Sequence, residues 1–277
     1  VFFGGMCYTA SSFFCVGRTY ERMKRLAFIP LLFLLCLSLA PTAQGAEGPV
    51  YTAEGFPNTA SLFDGKRNTY TAAKTGGQVT VTCPGGAGGL YIEFDRLPQP
   101  WTLSNGETSV PCGEKGFLHE YVDLSAQFTA PPEALTLSFP EGTVIADIYA
   151  LPAGEPLPDW VQTWEAPYEE ADLLLLSSHS DDEQLFFAGV LPYYAVERQL
   201  RVQVAYLVQH FEANGVQDHQ RPHEQLDGLW TVGVRHYPLI SGFPDLYSES
   251  KDRSTALKRA IAVYEGAGDS YEDFVGY

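Results

Sequence analysis

The pattern of apolar and polar residues divides the chain into two parts of different texture. Between residues 48 and 150, short runs of β-forming residues are separated by Pro and Gly turns, and this spacing predicts an antiparallel β-sandwich of roughly seven or eight strands over residues 47–150. Residues 151–167 are rich in Pro and predict a linker that Trp160 and Trp164 hold against both domains. The clearest strand segments are Gln78–Thr82, Gly89–Phe94, Leu135–Phe139 and Thr143–Ala150.

The second part, from residue 168, opens with a longer apolar run. The segment Asp172–Leu176 contains four consecutive leucines, which leave no polar face and predict a buried parallel strand. Apolar residues then recur at helical spacing over Asp182–Arg198, and Leu200–Val208 predicts a further strand. The inner stripe of that helix is expected at Leu185, Phe186, Gly189, Tyr193 and Val196.

The alternation of strand and helix continues along the chain. A helix is expected to begin at Pro222 and to end at Gly233, followed by a strand at His236–Ser241 and a helix at Lys251–Tyr264. The predicted fold class is therefore α/β, with a Rossmann-like parallel sheet and helices on both faces over residues 168–277, preceded by the β-sandwich.

The polar cluster HSDDE follows the leucine-rich strand and carries the candidate chemistry. In open α/β sheets ligands bind at the carboxyl ends of the strands, and imidazole with carboxylate suits Zn²⁺. His179 and Asp182 are candidate ligands, and Asp181 is then free to take a proton from a metal-bound water. The alternative is structural, because Ser180 or Asp181 can cap the helix that follows.

HSDDE, between an apolar strand and a helix, resembles the (A/P)HPDDE motif of zinc-dependent N-acetylglucosaminyl de-N-acetylases, the LmbE-like or PIG-L superfamily. Three further segments resemble that family in the same order. They are the strand Leu200–Val208, RPHEQLDGLWTVGV at Arg221–Val234, and SGFPD at Ser241–Asp245.

The resemblance implies a hydrolase that removes an N-acetyl group from an amino sugar or related amide. It makes His179 and Asp182 metal ligands and Asp181 the general base, and it places Arg221 and Asp245 in the substrate pocket. One Zn²⁺ per chain is expected, with the third protein ligand beyond Tyr277, so the domain is expected to be truncated and this fragment inactive. Ser180 stands where the family has proline, which loosens the turn without removing a ligand.

Two other functions fit the same residues. One is a secreted glycan-binding protein whose α/β domain is degenerate and non-catalytic. The other is a metal-dependent hydrolase of a different bond, because histidine and aspartate ligands do not by themselves fix the bond that is cleaved. His210 and His219 are expected in a loop near the pocket, where a direct contact with substrate and simple solvation are both open.

The sandwich carries a second resemblance. NTASLFDGKRNTY, from Asn58, and the late strand VIADIYAL, from Val144, resemble discoidin-type, galactose-binding-like domains. This implies a cell-wall or surface glycan as partner, with Trp101, Tyr70 or Tyr91 as stacking platforms. The alternative is that these aromatic rings belong to the core, because such rings bury a large area.

The N-terminal segment and the charge indicate an exported protein. Residues 1–46 comprise an upstream extension and a signal peptide that starts at Met23, with Lys24 and Arg25 before the apolar Leu26–Leu39. That stretch is shorter than a membrane span, so no stable membrane insertion is expected after cleavage. The formal net charge of −17 argues against nucleic acid as a partner.

Two cysteines remain after the predicted cleavage. In an exported protein, Cys83 and Cys112 are a candidate disulfide. Two separate buried thiols are the alternative, and the sequence leaves both open.

Overall fold

The computed structural model describes residues 48–213, 216–217 and 219–245, all within one compact unit, apart from the side chains at 209–218 and 242–245. The expected signal peptide from Met23, the expected helix at Lys251–Tyr264 and the side chains of His210 and Asp245 lie outside the described residues. Within the described ranges, no helix has the length and apolar character needed to cross a membrane.

Two antiparallel sheets form a β-sandwich over the first part of the described chain. Their strands are β1 Val50–Glu54, β2 Thr71–Ala72, β3 Gly77–Thr82, β4 Ala87–Phe94, β5 Trp101–Ser104, β6 Ser109–Cys112, β7 His119–Asp123, β8 Ala134–Phe139 and β9 Val144–Pro152. One sheet has the order β1-β3-β8-β5-β6 and the other has the order β2-β9-β4-β7. The sandwich predicted for residues 47–150 is therefore present.

Side-chain alternation explains why these segments form strands. In β3, Val79 and Val81 are buried while Gln78 and Thr80 are exposed, so one face packs inward and the other meets water. The strand follows a turn in which Gly76 has φ +78°, a backbone conformation that residues with a Cβ rarely adopt. Each fully buried leucine or isoleucine of this core contributes about 1.5–3 kcal/mol.

A smaller mixed sheet follows the sandwich. Its strands are β10 Leu173–Ser177, β11 Val202–Ala213, β12 Val216–Gln217 and β13 Leu239–Asp245. The central strand β11 pairs in parallel with β10 and β13 and forms an antiparallel contact with β12. The helices beside it are α1 Asp182–Phe187, α2 Val190–Pro192 and α3 Arg221–Thr231, with a wider helical turn at Tyr193–Glu197.

The predicted fold class, a Rossmann-like parallel sheet with helices on both faces, is wrong. Most strand pairings among the described residues are antiparallel, and only β10–β11 and β11–β13 are parallel. The run of leucines does not mark a strand buried on both faces. Leu175 is 8% exposed, whereas Leu174 and Leu176 are 60% and 49% exposed, so no helix of the described residues covers this face of β10.

The helix expected after HSDDE is also shorter and oriented differently from the prediction. α1 has six residues, and Leu185 and Phe186, expected on its inner face, are 70% and 71% exposed. Tyr193 and Val196 are likewise exposed. The predicted inner stripe is therefore wrong.

The sandwich and the smaller sheet share buried contacts. The ring of Tyr237 stacks on Phe117 with centroids 4.3 Å apart, and its hydroxyl accepts a hydrogen bond of 3.0 Å from the Leu118 amide. Trp164, in the segment between the two parts, packs edge-on against Tyr237 and Trp230. The sandwich and the smaller sheet are therefore packed directly against each other in this region.

Candidate functional site

The HSDDE cluster lies in the turn that joins β10 to α1. Asp181 stands at the N-cap position of α1, yet its side chain makes no capping hydrogen bond. Its carboxylate instead lies 2.6 Å from Nη2 of Arg221, the first residue of α3. Arg221 also lies 3.8 Å from Glu224, so the guanidinium connects the start of α3 to the start of α1. The capping role considered for Asp181 is therefore not what this side chain does.

His179 and Asp182 converge on one side of this turn. Nδ1 of His179 lies 3.7 Å from Oδ2 of Asp182, and the same carboxylate oxygen accepts a hydrogen bond of 3.1 Å from the His179 amide. Two ligands about 2.0–2.2 Å from a tetrahedral Zn²⁺ stand about 3.4 Å apart, close to this separation. Both side chains reach solvent, with 45% and 25% of their surfaces exposed. The pair therefore suits two positions on one cation.

Glu183 separates from the other members of the cluster. It is 1% exposed, and burial raises the pKa of its carboxyl. The turn thus sends one acid into the interior and keeps His179, Asp181 and Asp182 at the surface. In the parts of the chain that the structure describes, no group of three His, Cys, Asp or Glu side chains is arranged to hold a metal.

The other predicted pocket residues are placed only in part. Asp245 ends β13 and pairs with Ala213 of β11, whereas Ser177 at the end of β10 pairs with Tyr206, so the backbone of Asp245 lies beyond the end of β10 along the sheet. Its side chain is outside the described set. His219, expected near the pocket, contacts the sandwich instead: Nδ1 lies 2.6 Å from Oδ1 of Asp95, and the ring stacks on Tyr70 at 4.2 Å.

The predicted glycan platforms are mostly core residues. Trp101 is 2% exposed and donates a hydrogen bond of 2.8 Å from Nε1 to Glu120, and Tyr91 is fully buried. Tyr70 is 41% exposed, but one face of its ring is taken by His219. The interpretation of Trp101 and Tyr91 as sugar platforms is therefore wrong, because both rings fill the interior.

A surface cavity beside Trp160 was not predicted. It measures about 470 Å³, and its lining includes Arg67, Asn68, Glu93, Tyr149, Trp160 and Gln220. Trp160 is 46% exposed there, while ring edges of Tyr149 and Tyr91 contact it at 4.8 and 5.6 Å. The sequence around Trp160 does not indicate that it lines a cavity, because the residues opposite it, such as Arg67 and Glu93, are far away in the sequence.

Arg67 organises one wall of this cavity. Its Nε and Nη2 donate to Oε1 of the buried Glu93 at 2.9 and 2.6 Å, and its Nη1 forms an ion pair with Asp227 of α3. Although burial opposes the charge, the two carboxylates raise the pKa of Arg67. Oδ1 of Asp227 also accepts a hydrogen bond of 2.6 Å from Gln162. The sandwich and α3 are thus joined by charge-assisted hydrogen bonds.

Two histidines meet deeper in the same junction. Nε2 of His119 lies 2.6 Å from Nδ1 of His223, and Nδ1 of His119 lies 2.7 Å from Oε1 of Gln162. Burial lowers the pKa of His119 to about 4 and that of His223 to about 3. Burial therefore favours the neutral form of both rings, and the hydrogen bond between them requires that at least the accepting ring be neutral.

Cys83 and Cys112 are both free and buried. Cys83 follows β3 and Cys112 ends β6, with β8 and β5 between these strands. Three strand spacings of about 4.8 Å exceed the roughly 7 Å that a disulfide can bridge between Cα atoms. The candidate disulfide is therefore not formed, and the thiols are separate core residues.

No protein-family model matches the chain, and no curated protein matches it. Among solved structures, CpGH89CBM32-6 of Clostridium perfringens is 13% identical, covering 39% of this chain and 95% of its own, with a TM-score of 0.31. A pectin-binding carbohydrate-binding module is 17% identical, covering 41% of this chain and 96% of its own, with a TM-score of 0.28. A Podospora anserina GH26-CBM35 β-(1,4)-mannanase is 14% identical, covering 80% of this chain and 64% of its own, with a TM-score of 0.22. Carbohydrate-binding modules are thus among the structures to which this chain is similar.

Proposed function

We propose that this chain belongs to a metal-dependent hydrolase that removes an N-acetyl group from an amino sugar or related amide. The observation that carries the proposal is the 3.7 Å approach of His179 Nδ1 and Asp182 Oδ2 at the end of β10. Asp181 lies between them in sequence, and its carboxylate is paired with Arg221 at 2.6 Å. The resemblance of HSDDE and of the segments at Arg221–Val234 and Ser241–Asp245 to the LmbE-like deacetylases supports the same reaction.

Each side chain has a defined task in this proposal. His179 and Asp182 would hold the cation together with a third ligand from elsewhere, and Zn²⁺ bound there would supply a Lewis acid that polarises the acetamide and lowers the pKa of water. Asp181 accepts the proton of the attacking water and returns it to the departing amine nitrogen, so that acetate and a free amine leave. Arg221, 2.6 Å from Asp181, fixes the orientation of that carboxylate.

The test uses the full-length gene product that carries this chain, with Zn²⁺ added. We expect acetate release from N-acetylglucosamine derivatives, and we expect His179→Ala and Asp182→Ala to lose both this activity and tight Zn²⁺ binding. Asp181→Asn should keep the metal and lose at least about a hundredfold in kcat, because general-base catalysis typically contributes about 10²–10⁴-fold.

Asp172→Asn is the matched control. Asp172 pairs with Arg201 at 2.9 Å near the opposite end of β10, so its loss should leave activity and metal binding unchanged. Full activity of Asp181→Asn, or equal Zn²⁺ affinity after both ligand substitutions, would overturn the proposed roles.

A second candidate is a glycan-binding protein without catalysis. It is favoured by the cavity beside the exposed Trp160 and by the fact that only His179 and Asp182 converge as ligand-type side chains in the described cluster. It predicts glycan affinity that persists after both His179 and Asp182 are replaced, together with no acetate release at any metal concentration. Either candidate acts on carbohydrate outside the cell in our proposal, and detection of the mature product in the culture medium tests the export.

A further inference from the structure

Three consecutive residues connect the sandwich to the HSDDE turn. His219 is held by the sandwich, with Nδ1 at 2.6 Å from Asp95 and Nε2 at 3.0 Å from the Tyr70 hydroxyl. Arg221 reaches the Asp181 carboxylate at 2.6 Å, and Gln220 between them lines the cavity beside Trp160. Gln220 and Arg221 are adjacent in sequence, so a residue that lines the cavity and the residue that binds Asp181 have Cα atoms about 3.8 Å apart.

The chemistry of this cavity suits a sugar ring. Trp160 offers an exposed indole whose position is fixed by the edge contacts of Tyr149 and Tyr91. The exposed side chains of Asn68 and Gln220 line the same cavity, while the buried Glu93 holds Arg67 in place in its wall. An apolar ring face with a few fixed polar groups around it matches a pyranose, which has an apolar C–H face and a rim of hydroxyls. The cavity, of about 470 Å³, opens widely to solvent, as a site for one unit of a longer saccharide requires.

The charge of the cavity argues for a neutral ligand. Lys66 and Arg67 bring two positive charges to this region, and Glu93 and Asp227, both paired with Arg67, bring two negative charges, so the region offers no net positive charge to a phosphate or nucleotide. The whole chain has a formal net charge of −17, which further disfavours polyanions. A saccharide unit without charge meets neither obstacle.

We propose that this cavity is a second saccharide subsite in a cleft shared with the HSDDE turn. One unit of an N-acetylated oligosaccharide lies against Trp160, while its neighbour presents an acetamide group to Asp181. The sandwich then forms one wall of the substrate cleft rather than a separate targeting module. The placement of the acetamide at Asp181 rests on the proposed deacetylase function, whereas the binding of a sugar at Trp160 does not depend on it.

The experiment measures binding and turnover separately in the full-length gene product. Titration calorimetry compares N-acetylglucosamine with its β-1,4-linked trimer. We expect Trp160→Ala to weaken trimer binding about tenfold, since an aromatic contact contributes about 0.5–1.5 kcal/mol and 1.4 kcal/mol is tenfold. Gln220→Ala should also lower the affinity for the trimer. This variant is a second test of the cavity that leaves the aromatic cluster intact.

Tyr193→Ala serves as the matched control, because Tyr193 is also about two-fifths exposed and lies outside the cavity lining. Unchanged trimer affinity in both Trp160→Ala and Gln220→Ala overturns the subsite. Failure of the proposed hydrolase looks different: neither sugar releases acetate, yet the trimer still binds in a Trp160-dependent way, including after His179→Ala. Acetate release from both sugars without any dependence on Trp160 refutes the subsite alone.

Discussion

Acid should loosen the junction between the sandwich and α3 through the buried pair His119–His223. Folding holds the pKa of His119 at about 4 and that of His223 at about 3, below the ordinary value of 6.5. The folded chain therefore binds fewer protons than the unfolded chain over this range. The stability that these neutral rings contribute is fully present above pH 6.5 and is lost progressively as the pH falls towards 4 and 3.

The size of the change in unfolding free energy follows from the difference between the pH and the ordinary pKa of histidine. At pH 5, about 1.5 units below the ordinary value, each histidine favours the protonated unfolded chain by roughly 2 kcal/mol, at about 1.36 kcal/mol per unit. The same conditions act on buried carboxyls in the opposite direction, because the pKa of Asp147 is raised to about 6 by burial. A comparison between wild type and His223→Gln cancels that carboxyl contribution, since it is common to both proteins.

The assay is urea unfolding at pH 8 and pH 5, followed by far-ultraviolet circular dichroism. Between the two pH values, wild type should lose about 2 kcal/mol more unfolding free energy than His223→Gln. The glutamine amide keeps a polar group near Nε2 of His119 but cannot be protonated. His236→Gln is the control, because its ring lies outside this buried pair. Parallel pH profiles for wild type and His223→Gln would refute the reasoning.

Three further changes and one exposed control test the packing, and each is measured as a shift in the unfolding free energy. Leu62→Ala should cost about 2–5 kcal/mol because Leu62 is fully buried, whereas Leu157→Ala, at a position 44% exposed, should cost well under about 1 kcal/mol. Tyr237→Phe should cost about 1–2 kcal/mol, since a buried amide of the sandwich loses its acceptor; equal stability would contradict this. Gly86→Ala should cost about 1–3 kcal/mol, because Gly86 has φ +90° and an added Cβ would lie 2.6 Å from Pro131.

Local sequence was a good guide to the sandwich and a poor guide to the smaller sheet. The alternation of Val79 and Val81 with polar neighbours reports directly which face of β3 is buried. A run of four leucines shows no alternation of apolar and polar residues, so it does not indicate which face of the strand is buried. It therefore did not reveal that Leu174 and Leu176 face outward. In the same way, apolar residues at helical spacing could not show that α1 would stop after six residues.

The same distinction applies to the candidate site, where contacts between sequence neighbours could be predicted and contacts between distant residues could not. His179, Asp181 and Asp182 are neighbours in sequence, so one turn brings them together, and their proximity could be predicted. The contact between His119 and His223 joins residues 104 positions apart, and no local pattern encodes it. The cavity beside Trp160 was missed for the same reason, because its opposite wall comes from β4 and from the loop after residue 62.

The ion pairs of Arg67 set a limit on how this protein can be dissected. A truncation within residues 153–167 would remove Asp227 from Arg67 and His223 from His119. It would also uncover Phe117, whose stacking partner Tyr237 belongs to the other piece. The isolated sandwich would therefore expose apolar surface and unpaired charged side chains to solvent. The two pieces should be more soluble when they are produced together than when either is produced alone.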